Sequence, residues 1–380
     1  MSTTLAGVTA TPPTPGQALF LHVGLPKSGT TYLQGLLAEH RDRLRAAGFV
    51  YPFVRPEAMF HAAVELREQP EQWGLTAHAV AGSWDALLAR VRDSGADGVT
   101  TGIISHEILA GALPKVVERV ARDTADLDLH VVVTARDLPR QAAAHWQEQV
   151  KNGRDWTFAT FERELFEESE SVASEDGFWR MQDLEGVLGR WAAVVPADHL
   201  HVVTVPSSGA APDELWRRFC DAVGLEPSTV DVRTAATGNE SLGAAQVQLL
   251  RQVVVALAGR LEQPHYAHVV KRWFAQRLLS GIDGPRAVSP RDLCERLAPA
   301  SAAAVEHVRG AGYAVHGDLD DLLPSLPDGD VPHPDDVAAD EVLDGLPGVL
   351  AEMLLEVARL RAAEPTGTVR RWGLRRSPRA

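Results

Sequence analysis

The stretch HVGLPKSGTTYL, residues 22–33, decides how this chain is read. It closes a short apolar run, Ala-Leu-Phe-Leu-His-Val over 18–23, of the kind that forms a buried strand ending at a glycine. It opens onto Leu33, Leu36, Leu37 and Leu44, whose spacing predicts a helix to about Ala47, with Gly48 as its stop. A strand, a glycine-containing loop and a helix make an anion cradle, because the helix's leading N–H groups and its dipole both favour negative charge there. Gly24 and Gly29 keep the glycine spacing of a Walker A loop, G-x-x-x-x-G-K-[ST], and Thr31 fills its Ser/Thr place. Thr30 stands where that motif has its lysine, and the lysine lies upstream at Lys27.

Outward from the loop, strand-like runs recur at 99–105, 129–135 and 200–205, with helical patterns at 84–93, 114–123, 137–151 and 212–223. Continuously apolar strands alternating with helices predict an α/β fold: a P-loop-type, doubly wound parallel sheet flanked by helices. From about residue 240 the pattern is helical only (241–262, 265–280, 290–309 and 340–363), a helical C-terminal extension with no further strand. The expected organisation is a disordered leader over 1–17 and the α/β domain over 18–235. A helical region packed on the core follows over 236–323, then a Pro/Asp-rich linker over 324–348, then a helix and basic tail over 349–380. Thr237 and Glu240 have capping-box spacing for the helix that begins near 241.

A composition that is 45% hydrophobic in 380 residues suffices for a substantial core. A formal charge of −14 argues against nucleic acid as a partner. The charge is uneven. The last 15 residues carry Arg370, Arg371, Arg375, Arg376 and Arg379 and no acid, so the remainder sums to −14 − 5 = −19. That tail is read as solvated, or as a weak contact for an anionic membrane surface. Cys220 and Cys294 are the only cysteines, which excludes a disulfide scaffold and fits a reducing, cytoplasmic setting. No apolar run approaches the ~20 residues of a transmembrane helix, and the first 17 residues lack the pattern of a signal peptide.

PKSGTTYLQ, residues 26–34, resembles the 5′-phosphosulfate loop of sulfotransferases that use 3′-phosphoadenosine 5′-phosphosulfate (PAPS). GIISHEIL (102–109) and VVVTARDLPRQAAAHWQEQVKNG (131–153) fit the order of that family, in which one strand end supplies a base and the next ends in an arginine before a helix. The resemblance spans roughly residues 18–225 and points to the divergent bacterial sulfotransferase-like proteins. It implies metal-independent, in-line sulfuryl transfer from PAPS to a hydroxyl or amine of a small-molecule, glycan or lipid acceptor. Lys27 would then compensate charge on the departing 5′-phosphate. Ser28, Gly29, Thr30 and Thr31 would bind that phosphate, and Arg136 the 3′-phosphate. The family's serine eight residues beyond the arginine is Ala144 here, with Arg140 or Gln141 as its replacement.

The resemblance also explains the displaced lysine. A sulfuryl group carries one fewer negative charge than a phosphoryl group, so a lysine and helix N–H groups suffice where phosphoryl transfer relies on Mg²⁺. The base is His106 or Glu107. Adjacent residues at a strand end point to opposite sides, so one of the two faces the site. His61 is a more distant candidate. Two other readings stay open: a non-catalytic nucleotide-binding protein of this fold, and an NTP-dependent kinase. The kinase reading lacks both the lysine after the second glycine and a clear Walker B acid.

Overall fold

The computed structural model describes residues 16–167, 177–234, 241–327, 329 and 331–363. Most of the leader, the arginine-rich tail and the Thr237/Glu240 capping box lie outside the described residues. Six strands make one parallel sheet: β1 (Ala18–His22), β2 (Phe49–Val50), β3 (Thr101–Ser105), β4 (Asp128–Ala135), β5 (Leu200–Thr204) and β6 (Ala314–His316). Their order is β2-β3-β1-β4-β5-β6, and the fold is α/β as the sequence predicts. Leu19, Leu21, Ile104, Val131 and Val133 are buried on one face and Phe20, Ile103, Val132 and Val203 on the other, the signature of strands covered on both faces.

Two layers cover the sheet. On one face, Leu33, Leu36 and Leu37 of the helix Thr30–Glu39 pack with Trp216 and Phe219 of the helix Glu214–Val223. On the other, Trp84, Leu87 and Leu88 of the helix Ser83–Ser94 join Val117, Val120, Leu188 and Trp191. The fit is close at Gly102 in β3, where an added Cβ would lie 2.6 Å from Val91 Cγ1 and 3.0 Å from its Cγ2. A β-branched side chain in a helix has little rotamer freedom to retreat. Gly102→Ala is therefore expected to lower unfolding stability by about 1–3 kcal/mol. Chemical denaturation reads this directly, and unchanged stability would mean that this contact yields.

A third cluster sits on the helix Leu138–Lys151. Its Ala142, Trp146 and Val150 pack against Phe158 and Phe161, and against Val247, Leu250, Phe274, Leu293 and Leu297 of the C-terminal helices. The C-terminal helices thus cover the end of the sheet at which β4 finishes. The stretch 324–348 lies against this layer. It contains the helix Ala339–Leu343 with Val342 buried, and Asp335 accepts from the N–H groups of Phe158 (2.8 Å) and Ala159 (2.9 Å). Residues 267–278 coil as a π-helix, within the helix expected at 265–280.

The expectation of no strand beyond residue 240 needs correction. β6 pairs parallel with β5, aligning Val202 with Val315 and Val203 with His316. Three half-buried residues are too few to show a period in sequence, and the two-residue β2 escapes for the same reason. Topology then locates the crevice. The chain moves from β1 outward to β2 and β3, then crosses β1 to reach β4 on the other side. Such a reversal opens a cleft at the C-terminal ends of the flanking strands. Lys27 follows β1, His106 and Glu107 follow β3, and Arg136 follows β4. Among the described residues no helix is long and apolar enough to cross a membrane.

Candidate active site

The loop between β1 and the helix Thr30–Glu39 is held by strained backbone. Gly24, Lys27 and Gly29 all have positive φ, at 52°, 67° and 82°. A Cβ at Gly24 would meet Thr30 Cγ2 at 2.6 Å and Glu107 Cβ at 3.3 Å, so loop, helix start and β3 end converge there. Lys27 is the informative member, because a side chain in the left-handed region costs about 1–2 kcal/mol. The surroundings fix it. Arg136 Nη1 donates to Lys27 O at 3.5 Å, while Gln141 and Gln182 donate to Pro26 O at 3.0 and 2.9 Å. No side chain caps the helix Thr30–Glu39, which leaves its leading N–H groups for an anion.

Lys27 Nζ donates to Glu148 Oε2 at 2.5 Å, and Lys271 Nζ lies 2.7 Å from Glu148 Oε1. Burial pushes the Glu148 carboxyl up, but the charges of Lys27 and Lys271 and their hydrogen bonds outweigh it and hold it well below the usual range. Lys151, one turn on and buried, is brought down to about 8 by burial, against the attraction of Glu148. A single internal carboxylate is thus shared by Lys27 and Lys271, with Lys151 nearby, so positive charge is in excess beside the cradle. Spacing alone does not announce Glu148, Lys151 and Lys271 as site residues. Glu148 and Lys151 lie on the one helix, and Lys271 comes from the C-terminal layer.

Arg136 is largely buried. Its Nε has no hydrogen-bond partner among the described residues. Burial, with Arg140 and Arg286 nearby and Asp137 opposing, lowers it to about 10. A buried guanidinium with a free donor and cationic neighbours calls for an anion. Arg140 pairs with Asp137, the cap of its own helix, and also reaches Pro206 O at 3.3 Å. Gln141 Nε2 is taken by Pro26 O and by Gln182 Oε1 at 2.9 Å. Both residues neighbour Ala144, yet the contacts they make brace the loop and the helix start.

Ser28, expected to bind phosphate through N–H and hydroxyl, uses both inside the loop. Its N–H donates to Leu25 O at 3.2 Å and its hydroxyl to the same oxygen at 2.5 Å. That contact fixes the polarity of a buried chain, because a carbonyl only accepts. Thr134 then donates to Ser28 (2.6 Å), and His22 Nε2 to Thr134 (3.1 Å). Ser105 donates to His22 Nδ1 (2.8 Å), and Gln34 to Ser105 (3.2 Å) and to Glu107 Oε2 (2.9 Å). His22 is thereby neutral with its proton on Nε2, in keeping with a pKa brought to about 4 chiefly by burial. A histidine closing an apolar strand is the sequence signal for this link.

His106 and Glu107 diverge as adjacent residues should. Glu107 joins Gln34 and the loop. Burial raises its carboxyl, but His106, the Gln34 hydrogen bond and Lys27 together bring it below its ordinary value. The His106 ring lies 5.4 Å from that of Phe60, and its Nδ1 accepts from Ile108 N at 3.4 Å. Burial lowers its pKa. His61 lies on the helix Ala58–Arg67, its ring 6.0 Å from that of Phe60.

No protein-family model and no curated protein matches the chain. Among solved structures, it is similar to the crystal structure of a sulfotransferase from Alicyclobacillus acidocaldarius. That protein is 16% identical, with a TM-score of 0.45 over 78% of this chain and 96% of the other. The functional reading therefore rests on the geometry of the site.

Proposed function

We propose that this protein is a sulfotransferase, moving a sulfuryl group from PAPS to a hydroxyl or amine. The observation that carries this is the buried Arg136 Nε without a partner, one strand over from a cradle whose lysine precedes its second glycine. A cradle alone suits any nucleotide. A second, separate anion site at the end of β4 suits a nucleotide with a second phosphate. In this reading the N–H groups at Gly29–Thr31 and the Thr31 hydroxyl hold the 5′-phosphate, and Ser28 braces the loop. Arg136 holds the 3′-phosphate bidentately, with Arg140 and Arg286 adding field.

The chemistry is an in-line displacement. The acceptor oxygen or nitrogen bonds to sulfur as its proton passes to Glu107, and the bond from sulfur to the bridging phosphate oxygen breaks. Lys27 compensates the charge that collects on that phosphate. Glu148 must first release Lys27, which makes the resting ion pair a competitor of the donor. Lys271 and Lys151 keep Glu148 compensated once Lys27 turns away.

The test uses two nucleotides. Adenosine 3′,5′-bisphosphate is expected to bind with no added divalent ion, and Arg136→Met to weaken it by about 30–150-fold, the loss of about 2–3 kcal/mol for one charge-assisted contact. Adenosine 5′-monophosphate, which lacks the 3′ group, is expected to lose little in the same variant. Calorimetry measures both. Equal losses for the two nucleotides would show that Arg136 shapes the loop and reads no phosphate.

A further inference from the structure

At the opposite end of the sheet from the cradle, four of the chain's 14 histidines meet. His130 lies near the start of β4, His199 and His201 at the start of β5, and His316 on β6. Asp128 and Arg136 flank β4 at its two ends, eight residues apart. At about 3.3 Å per residue this separates the cluster from the cradle by roughly 25 Å.

Three of these rings form a continuous hydrogen-bonded line. His316 Nδ1 is 2.5 Å from Asp221 Oδ2, His201 Nδ1 is 3.1 Å from His316 Nε2, and His130 Nδ1 is 2.9 Å from His201 Nε2. The line has one polarity. A carboxylate only accepts, so His316 carries a proton on Nδ1, and as a neutral ring it accepts at Nε2. His201 must then donate from Nδ1 and accept at Nε2, which requires His130 to donate from Nδ1.

The polarity leaves His130 Nε2 as a lone pair, and the atom facing it is Asp128 Oδ2 at 3.4 Å. Two acceptors facing each other at that distance repel unless a proton or a metal cation joins them. A third donor is at hand. His199 Nδ1 lies 3.6 Å from Asp128 Oδ1, and the His199 ring stacks on that of His130 with centroids 4.0 Å apart. Ligand atoms of Asp128, His130 and His199 all lie within 4.8 Å of one another. Tetrahedral zinc with ligands at about 2.0–2.2 Å has edges of about 3.3–3.6 Å, which the two Asp128–histidine separations match, while the ligand atoms of the two histidines lie within 4.8 Å of each other.

We infer that Asp128, His130 and His199 bind a zinc-class divalent cation, remote from the site of sulfuryl transfer. Two imidazoles and a carboxylate are borderline donors suited to Zn²⁺, with water as fourth ligand. His201, His316 and Asp221 are its outer relay: the hydrogen bond from His130 Nδ1 orients that ring and raises its basicity toward the metal. His199 Nδ1 now donates to Leu129 O at 3.0 Å, so binding replaces that contact and fans the two stacked rings apart. The ion ties the start of β4 to the turn Ala197–His199 that leads into β5.

The test is a zinc titration of the chelator-treated full chain, followed by calorimetry and by competition with a chromogenic chelator. One equivalent is expected to bind. Asp128→Asn and His130→Ala should each weaken binding at least tenfold, and His201→Asn, through the relay, about tenfold. Lys27→Ala should bind zinc as the native chain does. Should the histidine variant fail to fold, Co²⁺ added to the native chain provides a second reading. A visible absorption band of tetrahedral intensity is expected, and it should be absent from His199→Ala. No binding at ten micromolar zinc overturns the proposal. So does undiminished affinity in both Asp128→Asn and His130→Ala, which would place the ion elsewhere.

Discussion

Lys27→Ala is expected to reduce the rate of sulfuryl transfer by about 10²–10³-fold, the scale seen when one preorganised charge-stabilising donor is removed. The ammonium sits 2.5 Å from Glu148 in a partly buried setting, so its charge is poorly screened and acts strongly on a departing phosphate. Glu148 remains compensated in the variant by Lys271 at 2.7 Å and by Lys151 nearby. The fold is thus expected to survive, and the loss to appear in kcat. The measurement is single-turnover transfer from radiolabelled donor, beside far-UV dichroism of the same preparation. A variant that folds and retains native kcat would remove the lysine from the mechanism.

The same position separates backbone from side chain. Lys27 has φ of 67°, where glycine is at ease and alanine is not. Lys27→Gly should therefore be more stable than Lys27→Ala by about 1–2 kcal/mol, with both equally slow. Stability and activity part company here because strain sustained by the loop serves the placement of a charge. The loop tolerates it through the contacts of Arg136, Gln141 and Gln182 with its carbonyls.

Those supports also show which parts of the site the sequence discloses. The cradle and Arg136 are legible because glycines and strand ends punctuate the chain, and parallel topology brings all strand C-termini to one edge. Glu148 is not legible as the partner of Lys27. It lies 121 residues away on a helix whose other side packs Trp146 and Val150 in the core. Lys271 joins only because the C-terminal helices fold over that same helix. The buried line from Ser28 through Thr134 and His22 to Ser105 is likewise tertiary, made by three adjacent strands in register. His130, His201 and His316 share the sheet face of Phe20 through strand pairing, and the period-two alternation of each short strand gives no hint of the others.

Glu107→Gln is expected to lower kcat by about 10²–10⁴-fold, the contribution of a positioned general base. Glutamine keeps the shape and can still meet Gln34, so the loop is left in place while the proton acceptor is lost. His106→Ala is expected to cost far less, because that ring lies against Phe60 and caps a turn rather than joining Gln34 and the loop. The pH profile distinguishes the two independently. Burial raises the Glu107 carboxyl, but His106, Gln34 and Lys27 bring it below its ordinary value, so it is ionised throughout the neutral range. A base of depressed pKa is competent above that pKa and fails only as pH falls through it. Native kcat is thus expected to be flat from about pH 8 down to about pH 5 and to decline only in stronger acid, below the ordinary carboxylate range of about 4.3. A decline that begins near the ordinary histidine value of about 6.5, abolished in His106→Ala, would transfer the role to the histidine.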